Sequence, residues 1–272
     1  MIESSVHVHT TFCDGQHSVE QMAKAAYEKG LKCIGFSGHS YTKHDGFGIK
    51  PELFTAYINE IRRVKALYNG KLGVLCGLEL DAVSDALTER EELDYVIGSA
   101  HSVKGEDGVD YIIDGNVKHF EHNVETAFDG DYIKMCKAYY KQFADFICRV
   151  KPDIVGHFDL VTKYNEKYNY FDDNCKTYRD VAAKALDLAL ENGAVIEVNT
   201  GAIIRGHRTV PYPADFLLKR ILEKKGKVII TTDAHFDTAL TDYTDEAESL
   251  LKSIGFKTVL ELDVNGFYER AI

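Results

Sequence analysis

The sequence predicts an α/β fold in a single domain spanning residues 1–272, with a parallel sheet that is closed or nearly closed into a barrel. Short apolar, β-branched runs alternate with longer segments of helical period, which is typical of strands that are each followed by a covering helix. The runs are apolar on both faces, as strands of a buried parallel sheet are. With seven such units, closure into a barrel is favoured over an open sheet.

The predicted strands are short and rich in Val, Ile and Leu. They are Ser5–His9, Cys33–Ser37, Gly73–Leu80, Tyr95–Ala100, Ile154–His157, Val195–Asn199 and Val228–Thr232. No strand is followed by Gly-x-Gly-x-x-Gly, and the chain contains no P-loop motif. A nucleotide-binding fold therefore lacks its usual sequence support.

Sequence patterns typical of helices lie between the predicted strands. Ser18 and Gln21 have the spacing of a capping box, which predicts that a helix begins there. Residues 131–150 have helical period, and a further helix is predicted to end at Asn192-Gly193. The polar segment Gly105–Asp129 is irregular, and we interpret it either as a lid or as an insertion.

Composition excludes several classes of function. The chain has 272 residues with 32 basic and 43 acidic side chains, a net charge of −11, which disfavours nucleic acid as a partner. No apolar run approaches the ~20 residues of a membrane helix, and the N-terminus does not resemble a signal peptide. The six cysteines contain no Cys-x-x-Cys pair and are predicted to be reduced thiols. A cytoplasmic protein is expected, and its oligomeric state is left open.

Histidines and carboxylates stand where the predicted strands end. They are His7, His9, His39, Glu79, His101, His157, Asp233 and His235. The carboxyl ends of parallel barrel strands meet on one face, where such folds hold their active sites. Neutral imidazoles and carboxylates are suitable ligands for Zn²⁺, Mn²⁺ or Fe²⁺, whereas a cluster of protonated imidazoles would be unfavourable. The pattern therefore predicts a metal site.

Asp14, just past the first strand, is a ninth candidate ligand, with His17 as the alternative. One catalytic zinc uses about three protein ligands, so nine candidates favour two or three ions. Three divalent ions would outweigh the charge of three carboxylates and leave a positive pocket inside an acidic protein. Such a pocket would attract a phosphate monoester, the predicted small-molecule substrate.

The ordered motifs resemble those of the polymerase-and-histidinol-phosphatase (PHP) superfamily. They are His-x-His, Gly-His-Ser, Gly-x-Glu, Gly-Ser-x-His, Gly-His-x-Asp-Leu and Thr-Asp-Ala-His, between residues 6 and about 240. Within it, segments 93–101, 152–164 and 199–205 most resemble the monofunctional histidinol-phosphatases. The resemblance implies a distorted seven-stranded (β/α) barrel of the TIM type. It also implies hydrolysis of L-histidinol phosphate to L-histidinol and phosphate, a step of histidine biosynthesis.

The resemblance also implies a division of the nine ligands among three ions. The first ion would be held by His7, His9, Glu79 and Asp233. The second would share Glu79 and add His101 and His157. The third would be held by Asp14, His39 and His235. A hydroxide bridging the first two ions would attack phosphorus.

Three further residues are predicted to be catalytic. Arg205 resembles the phosphate-binding arginine of these phosphatases, and its guanidinium fork suits a phosphate. Lys163 is a second candidate for that task, and Asp159 is expected to orient His157 or to contact the substrate. His207 lies close enough to Arg205 in the sequence to be an alternative contact.

Two positions depart from the pattern of the family. Gly15 stands where relatives often have a histidine ligand of the third ion, and Gly38 replaces an aspartate. Two other functions remain open from the sequence: hydrolysis of a phosphodiester or nucleotide at the same site, and a regulatory module whose metal site is inactive. The first would need a basic groove or a stacking platform, and the second would show a missing ligand.

Overall fold

Nine strands form one curved sheet in the computed structural model of the protein, which describes residues 2–44, 46–84 and 90–272. Its strands are β1 (Ser4–Ser5), β2 (Cys33–Phe36), β3 (Gly73–Asp81), β4 (Tyr95–Ser99), β7 (Ile154–Val155), β8 (Val195–Asn199), β9 (Val228–Thr231), β10 (Thr258–Asp263) and β11 (Gly266–Ala271). They are adjacent in this order, and every neighbouring pair is parallel except β10–β11. Two more strands, β5 (Ser102–Lys104) and β6 (Asp110–Ile112), form a separate antiparallel hairpin.

The helices follow the strands as predicted. They are α1 (Val19–Glu28), α2 (Pro51–Leu67), α3 (Val117–Phe128), α4 (Tyr132–Val150), α5 (Asn165–Tyr168), α6 (Lys176–Glu191), α7 (Gly201–Ile204), α8 (Asp215–Glu223) and α9 (Thr244–Ile254). The capping box at Ser18 and Gln21 is confirmed, and Asn192 ends α6. Within the described part of the chain, no helix has both the length and the hydropathy needed to cross a bilayer.

The sheet curls until its first and last predicted strands meet. Val8, just after β1, forms a parallel bridge with Ala234, just after β9. At the amino ends, β10 lies between these two strands: Leu260 pairs with Ile229, and the Leu262 amide donates to Ser4 Oγ at 3.3 Å. The carboxyl ends of the strands therefore converge, and the predicted barrel class is confirmed.

The predicted strand count was too low. All seven predicted strands are present, but the sheet also contains β10 and the antiparallel β11. Charged side chains break the apolar run in β10, and β11 alternates exposed with half-buried residues, so neither looks like a buried parallel strand. The first strand is shorter than Ser5–His9 because only Ser4–Ser5 pairs regularly with β2.

The segment 105–129 is structured and tied to the barrel. It contains β6 and α3, and α3 packs against α4. Lys163 Nζ donates to Asp114 Oδ1 at 2.5 Å, and the Tyr164 hydroxyl donates to the Gly115 carbonyl. These contacts place one end of the segment at the same face as the carboxyl ends of the strands.

Candidate metal centre

The nine predicted ligands lie together at the carboxyl ends of the strands. His7, His9 and Glu79 are almost completely buried, whereas Asp14, His39 and His235 are half-buried at the outer side. The main chain fixes part of this arrangement. His39 and Glu79 form a parallel bridge that extends the β2–β3 pair, and the Ser40 amide donates to the Glu79 carbonyl at 2.8 Å.

Glu79 is the centre of the cluster. Its Oε2 lies 2.8 Å from His39 Nδ1, 3.3 Å from His7 Nε2 and 3.5 Å from His9 Nε2. Its Oε1 lies 3.0 Å from His157 Nε2 and 3.4 Å from His101 Nε2. One carboxylate therefore has imidazoles on both oxygens, and it would be able to serve as a ligand of two neighbouring ions.

Asp233 completes the group around His7 and His9. Its Oδ1 lies 3.0 Å from His9 Nε2 and 3.6 Å from His7 Nε2. The residue adopts a left-handed conformation with φ of 52°, directly before the bridge of Ala234 to Val8. A non-glycine residue seldom adopts this conformation, and such residues often occur at functional sites.

A third group surrounds Asp14. Its carboxylate lies 3.3 Å from His235 Nε2 and 3.6 Å from both His39 Nε2 and His9 Nδ1. His17, the alternative to Asp14, instead lies 3.9 Å from Asp237 Oδ2. The structure therefore brings Asp14, and not His17, to the cluster.

Gly15 also has a structural explanation. A Cβ at this position would lie 2.4 Å from the Thr10 amide nitrogen and 2.7 Å from the His9 carbonyl oxygen. The backbone turn after the first strand is closed so tightly that no side chain fits there. A histidine ligand at position 15 is therefore sterically excluded in this chain.

The donor set fits divalent cations. Within the described residues, His7 Nε2, His9 Nε2 and Glu79 Oε2 make no hydrogen bond of ordinary geometry although all three are buried. Burying polar atoms without hydrogen bonds is costly, and Glu79 Oε2 lies 3.3 Å from His7 Nε2 and 3.5 Å from His9 Nε2. A cation between them would satisfy all three at once.

The charges of the cluster agree with this conclusion. Burial alone would lower the pKa of His7, but the carboxylates of Glu197, Glu79 and Asp233 raise it well above its usual value. In the same way, Glu79 and Asp81 overcome burial and raise the pKa of His101 well above its usual value. The buried carboxylates are thus stabilised by nearby positive charge. Protonated imidazoles provide this charge in the metal-free protein, and metal ions would provide it when bound.

A cavity of about 220 Å³ opens beside the cluster and is lined by Arg205 and Lys163. Arg205 follows α7, and its Nη2 donates to Asp233 Oδ2 at 2.7 Å. Lys163 follows a short 3₁₀ turn and is held by Asp114. Both cationic groups therefore line the same space as several candidate ligands, and a guanidinium fork in that space suits a phosphate.

Asp159 and His207 occupy other positions. Asp159 is fully buried, and its Oδ2 accepts a hydrogen bond of 3.0 Å from the Ala214 amide. Neither residue lines the cavity, and the His207 ring instead packs edge-on against Tyr164. The role expected of Asp159, to orient His157 or contact the substrate, stays a prediction.

Sequence reasoning missed three acidic residues of the site. Glu197 Oε1 accepts a hydrogen bond of 2.5 Å from His7 Nδ1, and Asp81 Oδ2 accepts one of 2.7 Å from His101 Nδ1. Asp114 lines the cavity and holds Lys163. The available signals were a glutamate inside the apolar strand β8 and the period of two that places Asp81 on the same face as Glu79.

A parallel barrel with clustered imidazoles and carboxylates at its carboxyl ends defines the class of metal-binding (β/α) barrel proteins. The chain belongs to the PHP domain family, whose model matches residues 5–201.

Curated relatives and solved structures agree with this assignment. The chain is 26% identical to the histidinol-phosphatase of Bacillus subtilis, over 84% of this chain and 92% of the relative. It is 27% identical to a probable histidinol-phosphatase of Deinococcus radiodurans, over 93% of this chain and 94% of the relative. A putative histidinol phosphatase of Listeria monocytogenes superposes with a TM-score of 0.77 at 18% identity, covering 89% of this chain and 99% of that one.

The histidinol phosphate phosphatase of Lactococcus lactis, in a crystal structure with zinc, L-histidinol and phosphate, superposes with a TM-score of 0.71. Identity is 18%, and the match covers 98% of both chains. At this identity, the two superpositions confirm the fold.

Proposed function

We propose that the protein is a divalent-metal-dependent phosphomonoesterase that hydrolyses L-histidinol phosphate to L-histidinol and phosphate, and so acts in histidine biosynthesis. The observation that carries this proposal is the position of Glu79, between imidazoles on both of its oxygens and beside a cavity lined by Arg205 and Lys163. The substrate is supported by the names of the relatives, which match nearly the full length of the chain.

We further propose that two or three ions, of Zn, Mn or Fe, are divided among the ligands as the family resemblance implies. His7, His9, Glu79 and Asp233 would hold the first, Glu79, His101 and His157 the second, and Asp14, His39 and His235 the third. Such ions supply Lewis acidity, which neutralises phosphate charge and lowers the pKa of a coordinated water.

We also propose that residues 1–272 act as one domain. The cytoplasmic location expected from the sequence stays a prediction.

The protein's own side chains would bind and orient the substrate. The guanidinium of Arg205 would take two phosphate oxygens, and the Lys163 ammonium, held in place by Asp114, would face a third. The cavity wall also includes Phe47 and Ile112, whose apolar surfaces would pack against the carbon skeleton and ring of the leaving alcohol. Asp114 is a carboxylate of this wall that could also attract the substrate amine.

Phosphate release from a panel of substrates tests the proposed activity. The protein loaded with Mn²⁺ or Zn²⁺ is expected to hydrolyse L-histidinol phosphate at least about tenfold faster, in kcat/KM, than phosphomonoesters without a ring and amine, since each such contact contributes about 1–3 kcal/mol. A dinucleotide and a generic diester complete the panel, and protein treated with a chelator is the control. Faster hydrolysis of the diester, or no hydrolysis by metal-loaded protein, would contradict the proposal.

Metal binding is expected to release protons near neutral pH. The raised pKa values of His7 and His101 keep these rings protonated in the metal-free protein, whereas metal ligation requires the neutral imidazole. His9 contributes no proton because burial lowers its pKa to about 3. Metal affinity should therefore fall as pH falls. Calorimetric Zn²⁺ titrations in two buffers of different ionisation enthalpy would give the number of protons released, and a value of zero at pH 7 would contradict this expectation.

A further inference from the structure

Glu197 is a buried carboxylate that contacts the metal centre without belonging to the predicted ligand set. It lies in β8 with no exposed surface. Four donors surround its two oxygens, and every one is within hydrogen-bond distance. They are His7 Nδ1 at 2.5 Å, Thr231 Oγ1 at 2.6 Å, the His157 amide at 2.6 Å and Asn199 Nδ2 at 2.9 Å.

The hydrogen bond between Glu197 and His7 determines which nitrogen of the His7 ring faces the cluster. Because Nδ1–H donates to Glu197 Oε1, the ring directs Nε2 toward Glu79 Oε2 and Asp233 Oδ1, at 3.3 and 3.6 Å. A metal-ligating histidine usually has its other nitrogen bound to a carboxylate in this way, which fixes the tautomer and the ring orientation. Glu197 is thus positioned to hold the His7 ring in the tautomer and orientation that would bind a cation.

The second oxygen of Glu197 acts on a different ligand. It accepts a hydrogen bond from the backbone amide of His157, two residues after the end of strand β7. His157 Nε2 lies 3.0 Å from Glu79 Oε1, the oxygen opposite to the one that His7 faces. One buried carboxylate therefore contacts a ligand on each side of Glu79.

We propose that Glu197 is a positioning residue that orients His7 and His157 together and thereby couples two neighbouring metal positions. The inference rests on the metal site of the proposed function but not on its substrate. Loss of the carboxylate should weaken both positions at once, whereas loss of one ligand should chiefly weaken its own.

The Glu197→Gln variant tests this role with little change of shape. The glutamine oxygen can still accept from His7, but its NH₂ group then faces the donors His157 N–H and Asn199 Nδ2. Metal affinity is expected to fall about 10- to 100-fold, the usual effect of losing such a partner. A Co²⁺ titration, monitored by the visible absorption of the bound ion, should show that both metal positions of the variant need a higher Co²⁺ concentration than those of the wild-type protein.

Glu261→Gln is the matched control. Glu261 is also buried in a strand, but its carboxylate accepts from Ser4 N, Ser4 Oγ and Arg270 Nε, none of them a candidate ligand. This substitution should lower thermal stability while leaving Co²⁺ binding unchanged. Equal Co²⁺ affinity in the two variants would overturn the proposal, because a purely structural role predicts that result.

An NMR measurement on the metal-free protein tests this inference independently of the proposed function. In the metal-free wild-type protein, the His7 Nδ1 proton should give a strongly downfield NMR resonance, and Glu197→Gln should move it upfield. An unchanged resonance would overturn the inference, whether or not the protein hydrolyses histidinol phosphate.

If Glu197→Gln does not fold, Thr231→Val removes one donor to Oε1 and should weaken Co²⁺ binding severalfold. Unchanged binding in that variant would count against the proposal.

Discussion

Replacing Glu79 by glutamine is expected to abolish phosphate release, with a loss in kcat of roughly 10³-fold or more, as found for groups that stabilise charge in a transition state. That loss corresponds to at least about 4 kcal/mol of transition-state stabilisation. The reason is geometric: the two oxygens of Glu79 contact imidazoles on both sides, at 2.8–3.5 Å. A neutral amide removes the charge that divalent ions require and presents a donor where an acceptor is needed.

Metal content and turnover should be measured together for this variant. We expect bound metal to fall by at least one ion per chain, with the circular dichroism spectrum unchanged. Glu261→Gln, which alters a buried glutamate away from the cluster, should keep both metal and turnover. His157→Ala should also lose turnover while folding normally. A Glu79→Gln protein with full metal content and near-normal kcat would show that Glu79 does not bridge two ions.

The second large effect is expected at Arg205. Arg205→Ala should lower kcat/KM for the phosphomonoester by about 10²- to 10³-fold, since the variant loses a cationic fork aimed at developing phosphate charge. Arg205→Lys should recover only part of this loss, because an ammonium cannot bind two phosphate oxygens in one plane.

Arg205 also donates to Asp233 at 2.7 Å, so metal content must be determined for each variant. Arg62→Ala is a suitable control because Arg62 is an exposed arginine of α2 that pairs with Glu92. If Arg205→Ala keeps its metal and its kcat/KM, the guanidinium does not contact phosphate. If it loses metal and activity in parallel, its main role is to hold Asp233.

The segment 105–129 shows where a prediction from sequence stops. Its polar, irregular composition was compatible with a lid or with an insertion. The structure gives it a strand and a helix, tied to the barrel by Asp114 and Gly115. The residues that tie it, Lys163 and Tyr164, lie 49 positions further along the chain. No local pattern could have indicated that pairing.

The barrel class and the positions of the candidate ligands along the chain can both be predicted from the amino-acid sequence. Both depend on local regularities: apolar runs that form buried strands, and polar residues that come directly after them. Since parallel strands in a barrel end on one face, residues at those ends must meet, whatever the details of packing.

The contacts that hold these residues in place depend on the folded molecule and could not be predicted from the sequence. His7 and Glu197 are 190 positions apart, and Ser4 and Leu262 are 258 apart, yet these contacts orient a ligand and close the barrel. A glutamate within an apolar strand is compatible with many partners. Its actual partners depend on the curvature and register of the whole sheet, because hydrogen bonds in a buried interior form only between atoms that the fold brings within about 3 Å.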